Sequence, residues 1–289
     1  MNKVSETELG SSEEYQSFRS SVALRKFDLG SSANPKTWAY FDCGPRHTKK
    51  CRSPIIFIPS ISGTADIYYL QALGLSTRGY RIILVQWPPY WSISAWCDGF
   101  KEFLSRLELE KVHIFGTSLG GFLAQKFTEH TNSCPRVASL MLCNSFTDAS
   151  IFDFGEHSSL FWLIPYSCLK DLILYGFQTD TDDQRIHQAS DFMIERLEGL
   201  SHTDLASRLF LNCLPTHVSP QKVNDIPITI IDAWDESALC HRIKEDLYKY
   251  YPEARLAHLK TGGNFPFLSR SDEVNLHIIL HLRNYDNPA

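Results

Sequence analysis

The sequence predicts an α/β protein: a doubly wound, mostly parallel sheet carrying a helical cap insertion. Three observations point there. Short apolar runs alternate with amphipathic stretches along most of the chain, as in a sheet covered by helices on both faces. One run enters a Gly-x-Ser-x-Gly turn that opens a helical pattern. The alternation then lapses from about 148 to 220, where helical patterns follow one another with no strand between them.

The elements read in order. "TWAYFDCG" is an early strand and "PIIFIP", Pro54 to Pro59, a buried one. "ADIYYLQALGLSTRGY" has helical periodicity and ends near Gly79. Strand "RIILVQW", helix "SAWCDGFKEFLSRLEL", strand "KVHIFG", helix "LGGFLAQKFTEH" and strand "RVASLMLCN" follow. The lapse holds "SSLFWLIPYSCLKDLILYGF", "RIHQASDFMIERLEGL" and "TDLASRLFLNCL", a helical insertion above the sheet. Alternation resumes with strand "PITIIDAW", helix "ALCHRIKEDLYKYY", strand "ARLAHLK" and helix "SDEVNLHIILHL". Residues 1–20 read as a loose polar arm, and 21–289 as a single domain with its cap at about 148–220.

Composition narrows the function. The 289 residues suffice for one large core, and 43% hydrophobic with 21% charged residues is ordinary for a globular chain. A net charge of −5 offers no broad basic surface, so nucleic acid is not expected as a partner. The most apolar stretch, Leu160 to Phe177, is broken by Pro165, Lys170 and Asp171, short of the roughly 20 apolar residues a bilayer span needs. The N-terminus lacks the apolar core of a signal peptide. The eight cysteines are scattered singly, which predicts reduced thiols in a cytosolic protein. The eleven histidines show no ligand spacing, so no metal and no cofactor are expected.

The chemistry-bearing motif is "FGTSLGG". Gly116 and Gly120 let a strand turn sharply into a helix, forcing Ser118 into a strained backbone region with its hydroxyl above the sheet edge. The Leu119 amide, at the helix N-terminus, would face a developing oxyanion. A second oxyanion donor should come from the loop after "PIIFIP", which here reads Pro59-Ser60-Ile61-Ser62-Gly63, with the Ile61 amide as the candidate. The acid should follow "PITII". Asp232, Asp235 and Glu236 crowd that turn, with Asp235 or Glu236 nearest the expected place and Asp148 a weaker alternative. Each could equally be a turn acid or helix cap.

The base is the failing member. After the last strand "GGNFP" places Asn264 where a histidine is usual. A carboxamide has no titratable lone pair near neutral pH and cannot take the Ser118 proton. In a measured serine protease, loss of the histidine alone costs about a millionfold in rate. His258, His241, His202 and His217 are the possible substitutes, though His258 reads as buried structure and His241 as solvated.

The strings "SGTADIYY", "WCDGF", "KVHIFGTSLGGFLAQKF", "LCNSFTDASIF", "LASRLFLNC" and "HLKTGGNFPFL" carry a resemblance. Over about 35–284 the chain is similar to the α/β-hydrolase superfamily, and these strings resemble its maspardin family. That resemblance implies an α/β-hydrolase fold without catalysis, with Ser118 as elbow serine, Asp235 as acid and Asn264 in the histidine's place. It implies a cytosolic protein partly recruited to endosomal and trans-Golgi membranes. Its implied partners are the cytoplasmic tail of the helper T-cell co-receptor, whose signalling it would restrain, and an aldehyde dehydrogenase relative. The alternative is an esterase-like serine hydrolase using Ser118 with a borrowed base. Trp87, Tyr90 and Trp91 in "QWPPYW" are either partner anchors or local packing beneath the cap. The apolar cap stretch either touches lipid or covers the core.

Overall fold

The computed structural model describes residues 7–30, 35–46, 53–152, 160–178, 180–223, 225–235 and 237–285. Eight strands form one sheet in the order β1-β2-β4-β3-β5-β6-β7-β8. They are β1 (Arg25–Leu29), β2 (Lys36–Cys43), β3 (Ile55–Ile58), β4 (Ile82–Gln86), β5 (Val112–Thr117), β6 (Val137–Cys143), β7 (Ile228–Ala233) and β8 (Arg255–Leu259). β2 runs antiparallel to both neighbours, and every pairing from β4 to β8 is parallel. The sheet is thus doubly wound and mostly parallel, as the alternation predicts.

The period-2 alternation of the central strands sorts side chains onto two layers. Ile56, Ile58, Ile83, Val85, Ile114, Leu140 and Leu142 face a layer built by α3 (Ile93–Arg106), α4 (Leu119–His130) and α8 (His241–Tyr250). There Trp38, Trp96, Phe100 and Phe103 stack in one buried aromatic block, with centroids 4.9–6.4 Å apart. Such rings dominate core energetics, each buried side chain being worth roughly 1.5–3 kcal/mol. The opposite strand residues, among them Ile55, Phe57, Leu84, Phe115 and Met141, face α2 (Tyr69–Ser76), α9 (Pro266–Ser269) and α10 (Ser271–Leu282). Because both faces are covered, the central strands read as continuous apolar runs.

The insertion folds as α5 (Tyr166–Tyr175), α6 (Gln184–Leu197) and α7 (His202–Asn212) around Phe161, Leu169, Leu197, Leu205 and Leu209. A bridge between Asp148 and His217 closes its base. α7 begins with a capping box in which Ser201 and Asp204 exchange hydrogen bonds.

One expectation needs correction, and one pair of alternatives is separated. The loose arm over 1–20 lies outside the described residues for 1–6. Thereafter the chain packs as α1 (Glu13–Ser21), whose Phe18 is fully buried and whose Tyr15 donates to the buried Asp66 at 2.7 Å. Arg19 and Arg196 of α6 pair with the same carboxylate, so charge pairing in a buried pocket holds what composition alone reads as polar. Of the two alternatives for "QWPPYW", local packing beneath the cap holds for Trp87 and Tyr90, which are buried, while Trp91 packs edge-on against Phe210 of α7 and stays 40% exposed.

At the N-terminal ends of the strands lies a buried neutral chain. Ser139 Oγ stands 2.7 Å from both His113 Nδ1 and His281 Nε2, and His281 Nδ1 stands 2.7 Å from Thr229 Oγ1. Burial pushes the His113 imidazole down to about 3, with His281 adding to it, and the His281 imidazole down to about 4.

Candidate functional site

The elbow sits at the C-terminal end of β5. Ser118 has φ 47° and ψ −119°, a strained conformation for a residue with a side chain. Its amide donates to the carbonyls of Cys143 and Asn144 at 3.2 Å each, and its carbonyl accepts from Phe122 of α4. The flanking glycines are sterically required. A Cβ on Gly116 would lie 2.6 Å from Gly120 O, and one on Gly120 would lie 2.2 Å from Ile58 O. Helix α4 therefore crosses the sheet at backbone-contact distance, and the turn that permits this lifts Ser118.

A cavity of about 290 Å³ opens over Ser118. Ser60, Ile61 and Ser62 line it from the loop after β3, Asn144 from the end of β6, and Asn264 from the loop after β8. Leu172, Ile173, Tyr175 and Leu209 of the cap complete it. Of the residues singled out in the sequence, Ser118, Ile61 and Asn264 thus meet in one space. Leu119 opens α4 with its side chain fully buried, and neither it nor Asp235 lines the cavity. Glu236 lies outside the described residues.

The hydrogen bonds show what each group is occupied with. Asn264 Nδ2 donates to Gly176 O at 2.9 Å, just past α5, and its Oδ1 accepts from Ala238 N at 2.6 Å. The carboxamide rivets the β8 loop to the cap and to the β7 loop. Asp235 accepts from the amides of Gly262 and Gly263 at 2.8–3.0 Å, holding the turn that presents Asn264. Asp148 caps its own turn through Ser150, and Asp232 is buried against Tyr248, so neither reaches the cavity. Burial raises the Asp232 carboxyl above its usual range.

Ser118 Oγ has no hydrogen-bond partner among the described residues. No described histidine lines the cavity. His202 binds Ile164 O and His217 takes part in the base bridge. His258 is exposed on the edge strand between the rings of Trp234 and Tyr248, which corrects the expectation that it is buried. An edge strand has only one covered flank, so its outward residues meet solvent. Among the described residues no group of three potential ligands comes together to hold a metal ion.

Sequence reasoning missed two residues here. Asn144, at φ 42°, donates from its side chain to Gly263 O at 3.0 Å and ties the β6 end to the β8 loop. Arg208 of α7 is fully buried, stacks 4.5 Å over Trp87, and donates from Nη1 to the carbonyls of Ile61 at 3.0 Å and Gly63 at 2.5 Å. Burial pulls its guanidinium down to about 10. A signal was present: Leu205, Arg208, Leu209 and Asn212 share one helical face, and a cation on an otherwise buried stripe needs a partner.

Comparison with known proteins settles the family. The chain is 50% identical over 278 residues to the maspardins of Danio rerio and Homo sapiens, spanning 96% of its own length and 88–89% of theirs. It belongs to the maspardin family. No family model matches the sequence. Among solved structures, a hydrolase from Pseudomonas aeruginosa is similar at 17% identity with a TM-score of 0.70, covering 89% of this chain and 98% of that one. The enol-lactonase from Burkholderia xenovorans is similar at 14% with a TM-score of 0.71, covering 89% and 100%. These likenesses establish the α/β-hydrolase fold of this chain. Among the described residues no helix is long and apolar enough to cross a membrane.

Proposed function

We propose that this member of the maspardin family is a non-catalytic α/β-hydrolase-fold adaptor that binds protein partners. The observation that carries the reading is that Ser118 Oγ has no imidazole beside it among the described residues, while Asn264 spends both ends of its carboxamide on Gly176 and Ala238. An alcohol without a base is a poor nucleophile. Asn264 stands, in this reading, where an active relative holds its histidine, and Asp235 has passed from orienting a base to holding a turn. The cap supplies anchors for a partner: Trp162, Leu163 and Tyr175 are 56%, 59% and 79% exposed. The proposed setting is the cytoplasm with peripheral recruitment to endosomal and trans-Golgi membranes. The proposed partners are those of the resemblance, the co-receptor tail and the aldehyde dehydrogenase relative.

The second reading, an esterase-like hydrolase, is favoured by the strained Ser118 facing an open apolar cavity. Incubation with short p-nitrophenyl esters and a fluorophosphonate probe separates the two. The adaptor reading expects neither turnover nor labelling. Labelling of wild type that disappears in Ser118→Ala would overturn it.

A further inference from the structure

The cavity over Ser118 has a chemistry of its own. Among the described residues none of those lining it is an Asp, Glu, Lys, Arg or His. Its walls are mostly apolar, from Phe152, Leu172, Ile173, Leu209 and Phe265. Against the described lining a carboxylate, phosphate or ammonium would lose its hydration and meet no counter-charge.

Its polar end is narrow, and most of it is already committed. Thr117 Oγ1 lies 2.6 Å from the Tyr68 hydroxyl, which itself donates to Ile58 O, so Thr117 gives its proton to Tyr68. The carboxamides of Asn144 and Asn264 are spent on backbone groups. One free hydroxyl remains. Ser118 Oγ is unpartnered among the described residues and lines the cavity; Ser60 Oγ and Ser62 Oγ, also on its wall, stand 3.4 Å from each other. A free hydroxyl, able to donate and to accept, suits one neutral hydrogen-bonding group. The volume of about 290 Å³ lies at the low end of small-molecule sites.

We infer that the cavity is a non-covalent site for a small, uncharged, mostly apolar molecule with a single hydrogen-bonding end, such as a medium-chain alcohol. The inference rests on the non-catalytic reading of Ser118, since the molecule is held whole. The mouth is bounded by Leu172 and Tyr175 of the cap and by Ala238, and Asn264 bridges the Gly176 and Ala238 backbones across it. Occupancy would therefore be felt by the same cap surface that carries Tyr175.

The test titrates the full-length chain calorimetrically with 1-octanol and, separately, with octanoate at pH 7.5. Expected is one saturable site for 1-octanol, with octanoate at least tenfold weaker. Ser118→Ala should weaken 1-octanol by about 2- to 12-fold, the worth of one hydrogen bond. Ala238→Trp, at an exposed position on the rim, should abolish binding while circular dichroism stays that of wild type. Octanoate binding as tightly as the alcohol, no saturable alcohol binding, or full binding by a folded Ala238→Trp would each overturn the proposal. Octyl acetate is run in parallel. Its Ser118-dependent hydrolysis would instead overturn the non-catalytic reading, and with it the claim that the ligand is kept whole.

Discussion

The buried His113–Ser139–His281 chain makes the fold acid-sensitive well above the carboxylate range. In the folded protein both imidazoles stay neutral down to about 3 and about 4, because burial penalises their charged forms, His281 adds to the penalty on His113, and Arg255 to that on His281. In the unfolded chain both take a proton near 6.5. A group whose folded value is depressed in this way favours folding above the unfolded value and loses that advantage as pH falls below it. At pH 5 each imidazole sits one and a half pH units below its unfolded value, which at about 1.4 kcal/mol per unit is about 2 kcal/mol. Together they predict a loss of about 4 kcal/mol between pH 7.5 and 5. Asp232 acts in the other direction, since burial raises its carboxyl and folding then gains as that group protonates. Urea unfolding followed by tryptophan fluorescence at the two pH values measures the net change. The double variant His113→Gln/His281→Gln, which leaves Asp232 in place, isolates the imidazoles and should flatten the difference by about 4 kcal/mol. If wild type and double variant lose the same stability, the imidazoles are not the cause and the reasoning fails.

Four further outcomes follow from the site. Asn264→Ala removes the bonds to Gly176 and Ala238 and should cost about 1–3 kcal/mol, visible as faster proteolysis within the cap before global unfolding. Asn264→His should leave p-nitrophenyl ester turnover near background, because the new imidazole meets the contacts that now bind the cap and the 60–63 loop is unchanged; turnover like an ordinary esterase's would count against this. Arg208→Ala strips the donor from the Ile61 and Gly63 carbonyls and should lower unfolding stability by about 3 kcal/mol, with Arg208→Met costing less because it keeps the contact with Trp87. Gly120→Ala drives a methyl to 2.2 Å from the Ile58 carbonyl, a backbone clash that no rotamer relieves, and should cost about 3 kcal/mol in denaturant titration.

The parallel core was legible because strands covered on both faces are apolar throughout, and "PIIFIP" and "KVHIFG" need no tertiary information to be read. The edge was not. β1, "RKFDL", is a half-exposed edge strand whose pattern is mostly charged, and α1 buries only Tyr15 and Phe18 of its nine residues. Gly116, Ser118 and Gly120 announced the elbow because local sterics alone dictate that turn. Asp235 takes backbone amides as its partners, and no side-chain motif encodes those. Asn144 and Arg208 act on carbonyls 119 and 145 positions away, and contacts of that range leave no local trace beyond a polar group in an apolar stripe.

The approach of α4 to the sheet bears on what a strained serine can be taken to mean. With the helix backbone resting on the β3 carbonyls, residue 118 has no roomier conformation to relax into while β5 and α4 stay where they are. Its contortion is owed to architecture, and would outlast any reaction once performed there. A serine held in that pose therefore testifies to how the layers are joined, and says nothing by itself about whether bonds are still broken above it.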